Sequence, residues 1–127
     1  MKFAAWYGIV VGFFMIGQWL FSLITGGVPE VRSTPWELTF HLAAEMLTAL
    51  ALIVGGARAF KSIPGGRRLL LCALGMVIYS EIVSAGYFAQ QAKWTPVGIF
   101  GVLLTGALAS AMLLWKANKR NPSARPR

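Results

Sequence analysis

The chain has 127 residues, 57% of them hydrophobic and only 13% charged, with a formal net charge of +8 at neutral pH. Soluble domains average about 25% charged residues, and a soluble fold of this length has no interior large enough to hide so much apolar surface. The composition therefore excludes an ordinary soluble domain and leaves a membrane protein. The lysines and arginines flank apolar runs, so membrane orientation explains them and no nucleic-acid partner is called for.

The first apolar run, Phe3 to Thr25, is longer than a signal-peptide core and lacks a small-residue cleavage site before Gly26 and Gly27. It reads as an uncleaved transmembrane helix. Gly8 and Gly12 form a GxxxG, a face for a close neighbour helix in the same or another chain. A loop rich in turn formers follows. Thr34, Pro35 and Glu37 then read as an N-cap, a first helical residue and the third residue of a capping box. The second run extends to about Phe60, and the break around Pro64, Gly65 and Gly66 precedes the third. Thr95 and Pro96 repeat the cap-then-proline start, and Gly101, Thr105 and Ala109 mark a small-residue seam on the fourth run.

The expectation is a single all-α integral membrane domain over residues 1–119. It is a four-helix up-down bundle with helices near 3–25, 35–60, 68–91 and 95–117, followed by a basic disordered tail over 120–127. Ten lysines and arginines fall at one end of this bundle and two, Arg32 and Lys93, at the other. The positive-inside rule then predicts both termini in the cytoplasm. Trp6 and Trp115 fit the inner interface, and Trp19, Trp36 and Trp94 the outer one. The expected location is the inner (plasma) membrane of a bacterial or archaeal cell.

Chemistry centres on the second run. Glu37, His41 and Glu45 are spaced four apart and share one helical stripe. Counting helix rise, Glu45 lies roughly 13 Å below the outer start of its helix and Glu81 roughly 15 Å below the outer end of the third. Two carboxyl groups thus face each other at matched depth, and charged groups in a membrane helix are rare enough to point to a site. They cannot both ionise cheaply, so one is expected to hold a proton, with His41 as a possible relay. Ser84 on the third helix and Gln18 on the first lie near the same level. Both faces are polar in their outer halves and apolar in their inner halves, which predicts a pocket open to the outside and no through-pore.

Three functional readings stay open. One is a proton- or cation-coupled transport component built on Glu45, Glu81 and His41. A second is a non-catalytic subunit or assembly factor of a larger membrane complex. A third is a membrane-embedded enzyme using the same three residues as acid and base on a lipid-like substrate, with Phe14, Tyr87 and Phe88 lining its pocket. Membrane lipid is an expected partner, and a homo-oligomer or a complex partner is compatible with the seams.

No particular cofactor is indicated. Glu37, His41, Glu45 and Glu81 form an oxygen-rich set suited to iron or manganese, but their spacing is not a metal signature. His41 is the sole histidine, which rules out bis-histidine haem within one chain, and the sole cysteine, Cys72, rules out an intramolecular disulfide.

Overall fold

Long apolar runs must satisfy their backbone groups internally, and helices do this within a single segment. The computed structural model describes residues 2–120. They form five helices: α1 Lys2–Ile24, α2 Glu30–Ser33, α3 Pro35–Phe60, α4 Gly66–Gln90 and α5 Trp94–Arg120. All but α2 are long and apolar enough to cross a bilayer. Of the basic tail expected over 120–127, Arg120 closes α5, and residues 121–127 lie outside the described residues.

The four long helices form a closed ring in which α1 and α4 each pack on α3 and α5. Ring neighbours run antiparallel. Trp6 at the start of α1 meets Phe60 at the end of α3 at 5.8 Å, and Trp19 near the end of α1 meets His41 near the start of α3 at 5.7 Å. Phe88 near the end of α4 stacks on Phe100 near the start of α5. The bundle therefore has a termini end, holding Lys2, Arg120 and the α3–α4 turn, and an opposite end that carries α2.

Three of the long helices' connections close in one way. At the end of α1, Gly27 N–H donates to Ser22 O at 3.0 Å and Gly26 N–H to Leu23 O at 3.4 Å, with Gly26 at φ +69. This is the Schellman arrangement, which needs a left-handed residue. The same pair of bonds recurs after α3 with Ser62 at φ 56, and after α4 with Ala92 at φ 55.

The start of α3 differs from the sequence expectation. Pro35 is the first helical residue, but the Thr34 side chain caps nothing. Thr34 already closes α2 by donating its N–H to Glu30 O, and its ψ of 65 is not the extended value a capping side chain needs. No capping box forms, and Glu37 is left exposed. The turn-rich loop before it holds the short helix α2, which its proline and glycines gave no reason to expect.

Close packing is concentrated at the termini end. A Cβ built on Gly55 lies 2.8 Å from Leu70 N, on Gly56 2.7 Å from Ala5 O, and on Gly12 2.7 Å from Ala49 O. Glycine at these positions lets backbones approach further than any side chain permits. Thus the GxxxG of α1 packs on α3 within the chain. The seam expected on α5 does not pack: Gly101, Thr105 and Ala109 are all exposed. The face of α5 that packs carries Ala107, Ser110 and Leu114, offset from that stripe around the helix.

Candidate functional site

Toward the α2 end the helices leave a cavity of about 530 Å³ between them. Gln18, His41, Glu45, Glu81 and Ser84 all line it. So do Phe14, Tyr87 and Phe88. Glu37 lines its mouth, fully exposed. The cavity ends on each helix part-way along, at Val11, Glu45, Val77 and Leu103. Beyond that level lie the buried Leu52, Leu70, Leu74 and Ala107, so the termini end is shut.

Two carboxyl groups form part of its floor. Glu45 is 9% exposed and Glu81 3%. Glu45 Oε1 accepts a hydrogen bond from Ser80 Oγ. Ser80 precedes Glu81 on α4, so this bond sets the two glutamates at one level. The Tyr7 hydroxyl, from α1, lies 2.5 Å from Leu103 O and 3.4 Å from Glu81 Oε1. It has one hydrogen and can donate to one of them at a time. Glu81 Oε2 is enclosed and has no hydrogen-bond partner. One turn below Glu45, Thr48 satisfies its own hydroxyl by donating to Ala44 O at 2.8 Å.

His41 is exposed at the cavity wall, its ring edge-on to Trp19. Among the described residues, no three His, Cys, Asp or Glu side chains gather as metal ligands, so Glu37, His41, Glu45 and Glu81 do not form the oxygen-rich set.

Three partners were not read from the sequence. Tyr7 is placed by Gly106 on α5, where a Cβ would lie 2.5 Å from the tyrosine ring. Its signal was the single tyrosine of α1. Ser80 was passed over because it adjoins Glu81 and shares no i, i+3 or i+4 stripe with it. Glu30 is not merely a solvated loop acid: it lines the mouth and accepts a hydrogen bond from the Tyr87 hydroxyl. That bond, with smaller help from the charge of Lys93, holds the Glu30 carboxyl below its ordinary pKa.

Residues 1–125 match a family described as a domain of unknown function, DUF8058. The chain belongs to that family. No curated protein matches the DUF8058 chain, and no solved structure matches it.

Proposed function

We propose that this DUF8058 protein is an integral membrane component of proton- or cation-coupled transport, its four long helices crossing an inner (plasma) membrane with both termini in the cytoplasm. Many large apolar side chains face outward from the ring, among them Phe13, Phe21, Phe40, Tyr79 and Val102. Lipid is the solvent that suits such faces. Trp6 and Trp115 fall at the termini end and Trp19, Trp36 and Trp94 toward the other, as interfacial belts do. The termini end also carries the lysine and arginine excess, which favours the cytoplasm for it. On this reading the cavity opens to the outside.

One observation carries the transport reading: Glu45 and Glu81 lie at the floor of a one-ended cavity with no fixed cation beside them. Among the described residues, Lys93 is the one lysine or arginine that lines the cavity, and it stands at the mouth. Ser80 and Tyr7 offer these carboxyls hydrogen bonds, but the charge itself is neutralised by a proton or an arriving cation. Exchange between the two is the elementary step of coupled transport, and a cavity shut at one end is one state of an alternating cycle.

The test is reconstitution into vesicles with a pH dye inside. An imposed cation gradient should drive proton movement through wild type, and Glu45→Gln and Glu81→Gln should abolish it. Wild-type flux no greater than in empty vesicles removes the transport reading. Sidedness is tested separately by thiol labelling at Ser62→Cys in a Cys72→Ser background; modification from outside alone overturns the orientation.

A second reading, a subunit of a larger membrane complex, has one observation in its favour. Gly98, Gly101, Thr105 and Ala109 leave an exposed stripe of small residues on α5 that the chain itself does not use. Native mass spectrometry in mild detergent tests it: a bound partner chain or a second copy supports it, a bare monomer does not.

A further inference from the structure

All four acidic residues of the chain, Glu30, Glu37, Glu45 and Glu81, line one cavity. The same chain carries twelve lysines and arginines, and among the described ones only Lys93 reaches that cavity. A strongly basic protein has thus gathered its whole negative charge around one space. Solvation explains Glu30 and Glu37 at the mouth. It does not explain the floor, where Glu81 is 3% exposed and its Oε2 has no hydrogen-bond partner. Buried carboxyl oxygens are ordinarily paired, and an unpaired one on a side chain that lines a cavity marks where a donor from outside the chain fits.

The walls narrow the choice of donor. A volume of about 530 Å³ suits an organic molecule, not a bare ion. Among the described residues no cluster of three ligands for a metal is present. The sides carry aromatic rings: Phe14, Trp19, Phe88 and Phe100. Phe88 and Phe100 stack with ring centroids 5.8 Å apart. Such rings bury an apolar body and attract a cation over their faces. Carboxylates at mouth and floor repel an anion and focus a field that draws in positive charge.

We propose that the cavity binds an amphiphilic organic cation. A primary or secondary ammonium group donates to the Glu81 carboxyl beside Glu45, which turns to meet it, and an apolar body packs against Phe88, Phe100 and Trp19. This rests on the transport reading of the same site and adds the chemical class of the solute. Glu81 is the anchor, Glu45 the neighbouring charge held by Ser80, and Glu30 and Glu37 act at the entrance.

The test uses a charge series in one shape: 2-(1-naphthyl)ethylammonium, the matching neutral alcohol and the matching carboxylate. Each is titrated calorimetrically against the whole protein in phosphatidylcholine nanodiscs, with empty nanodiscs as background. The ammonium should bind wild type at least about tenfold more tightly than the alcohol, as a single charge-assisted hydrogen bond implies. The carboxylate should not bind. Glu81→Gln, which keeps shape, should erase most of the ammonium's advantage over the alcohol, whereas Glu37→Gln at the mouth should change it by less than about threefold. No preference for the ammonium over the alcohol in wild type overturns the proposal, whether both bind or neither does; this comparison needs no variant. An advantage that survives Glu81→Gln overturns the anchor. Failure of the transport reading looks different: the ammonium then binds with the expected preference, yet proteoliposomes show no flux of it.

Discussion

The two ends of the bundle are built from the same four helices and do opposite things. At the termini end, Gly12, Gly55 and Gly56 bring backbones so close that an added Cβ meets main-chain atoms at 2.7–2.8 Å. Toward the α2 end no such glycine contacts occur: Gly17, Gly86 and Gly98 have nothing within 4 Å of a built Cβ. There Phe14, Trp19, Phe88 and Phe100 line the cavity between the helices. Residue size along each helix therefore decides where the bundle is shut and where it is hollow. Polar chemistry follows the same division. Every acidic residue belongs to the hollow half, and the shut half buries Leu52, Leu70, Leu74 and Leu114.

The sharpest way to break this comparison is to enlarge the glycines. Gly56→Leu should destabilise the fold by about 3 kcal/mol, the upper range for overpacking, because its Cβ meets the main-chain atoms Ala5 O and Ile9 N, which cannot swing aside as a side chain can. Gly86→Ala should be neutral or stabilising by up to about 1 kcal/mol, since a helix gains from alanine and nothing stands in its way. Equilibrium unfolding in mixed micelles reads both. Equal losses at the two positions would mean that helix spacing is not set by glycine.

The junction between the halves is Tyr7. Tyr7→Phe keeps the ring over Gly106 and removes the hydroxyl that reaches Leu103 O and Glu81 Oε1. The loss should be about 1–2 kcal/mol, the range for a hydrogen bond whose acceptors stay buried. It should also change the carboxyl-stretch infrared band assigned by Glu81→Gln. A stability change with no shift in that band would detach Tyr7 from the floor of the cavity.

Ser80 and Ser84 give a finer comparison within the hollow half. Both line the cavity, but only Ser80 donates to Glu45. Ser80→Ala should cost about 1 kcal/mol, and Ser84→Ala should stay within about 0.5 kcal/mol of wild type. The same unfolding measurement applies; a larger effect at Ser84 would reverse the roles assigned here.

These contrasts show which features a sequence can display. The level of Glu45 and Glu81 was legible because helix rise converts residue counts into depth, and four-residue spacing places Glu37, His41 and Glu45 on one stripe. The four apolar runs were legible from length alone. Contacts that depend on three helices meeting were not. Tyr7 reaches Glu81 only because Gly106 leaves room for its ring, and neither residue carries that information by itself. The α5 stripe was legible, but not what faces it: small residues at four-residue steps permit close packing without fixing what packs there. Gly101, Thr105 and Ala109 lie on the face turned away from the ring. At the mouth, Thr34 serves two helices at once, and the geometry that closes α2 is incompatible with the capping box its spacing suggested.

The smallest expected effect lies at the mouth, where Tyr87 donates to Glu30. This bond favours the ionised carboxylate and holds its folded pKa below the ordinary value of 4.5. The sign follows from linkage. A carboxyl whose folded pKa is depressed adds stability that is fully present above its unfolded pKa and is lost as pH falls through the folded one. Wild type should therefore exceed Tyr87→Phe in stability at neutral pH. The gap should begin to close once pH drops below about 4.5 and vanish when Glu30 is protonated in both states. The bond is near the surface, so the gap is small and shrinks further in high salt. The measurement is denaturant unfolding of both proteins from neutral pH to about pH 3, well below the carboxylate range. A gap that stays constant across this range would mean that Tyr87 contributes packing alone. Glu30 would then return to the solvated loop acid its sequence position suggests, and the hollow half would lose this cross-link between α2 and α4.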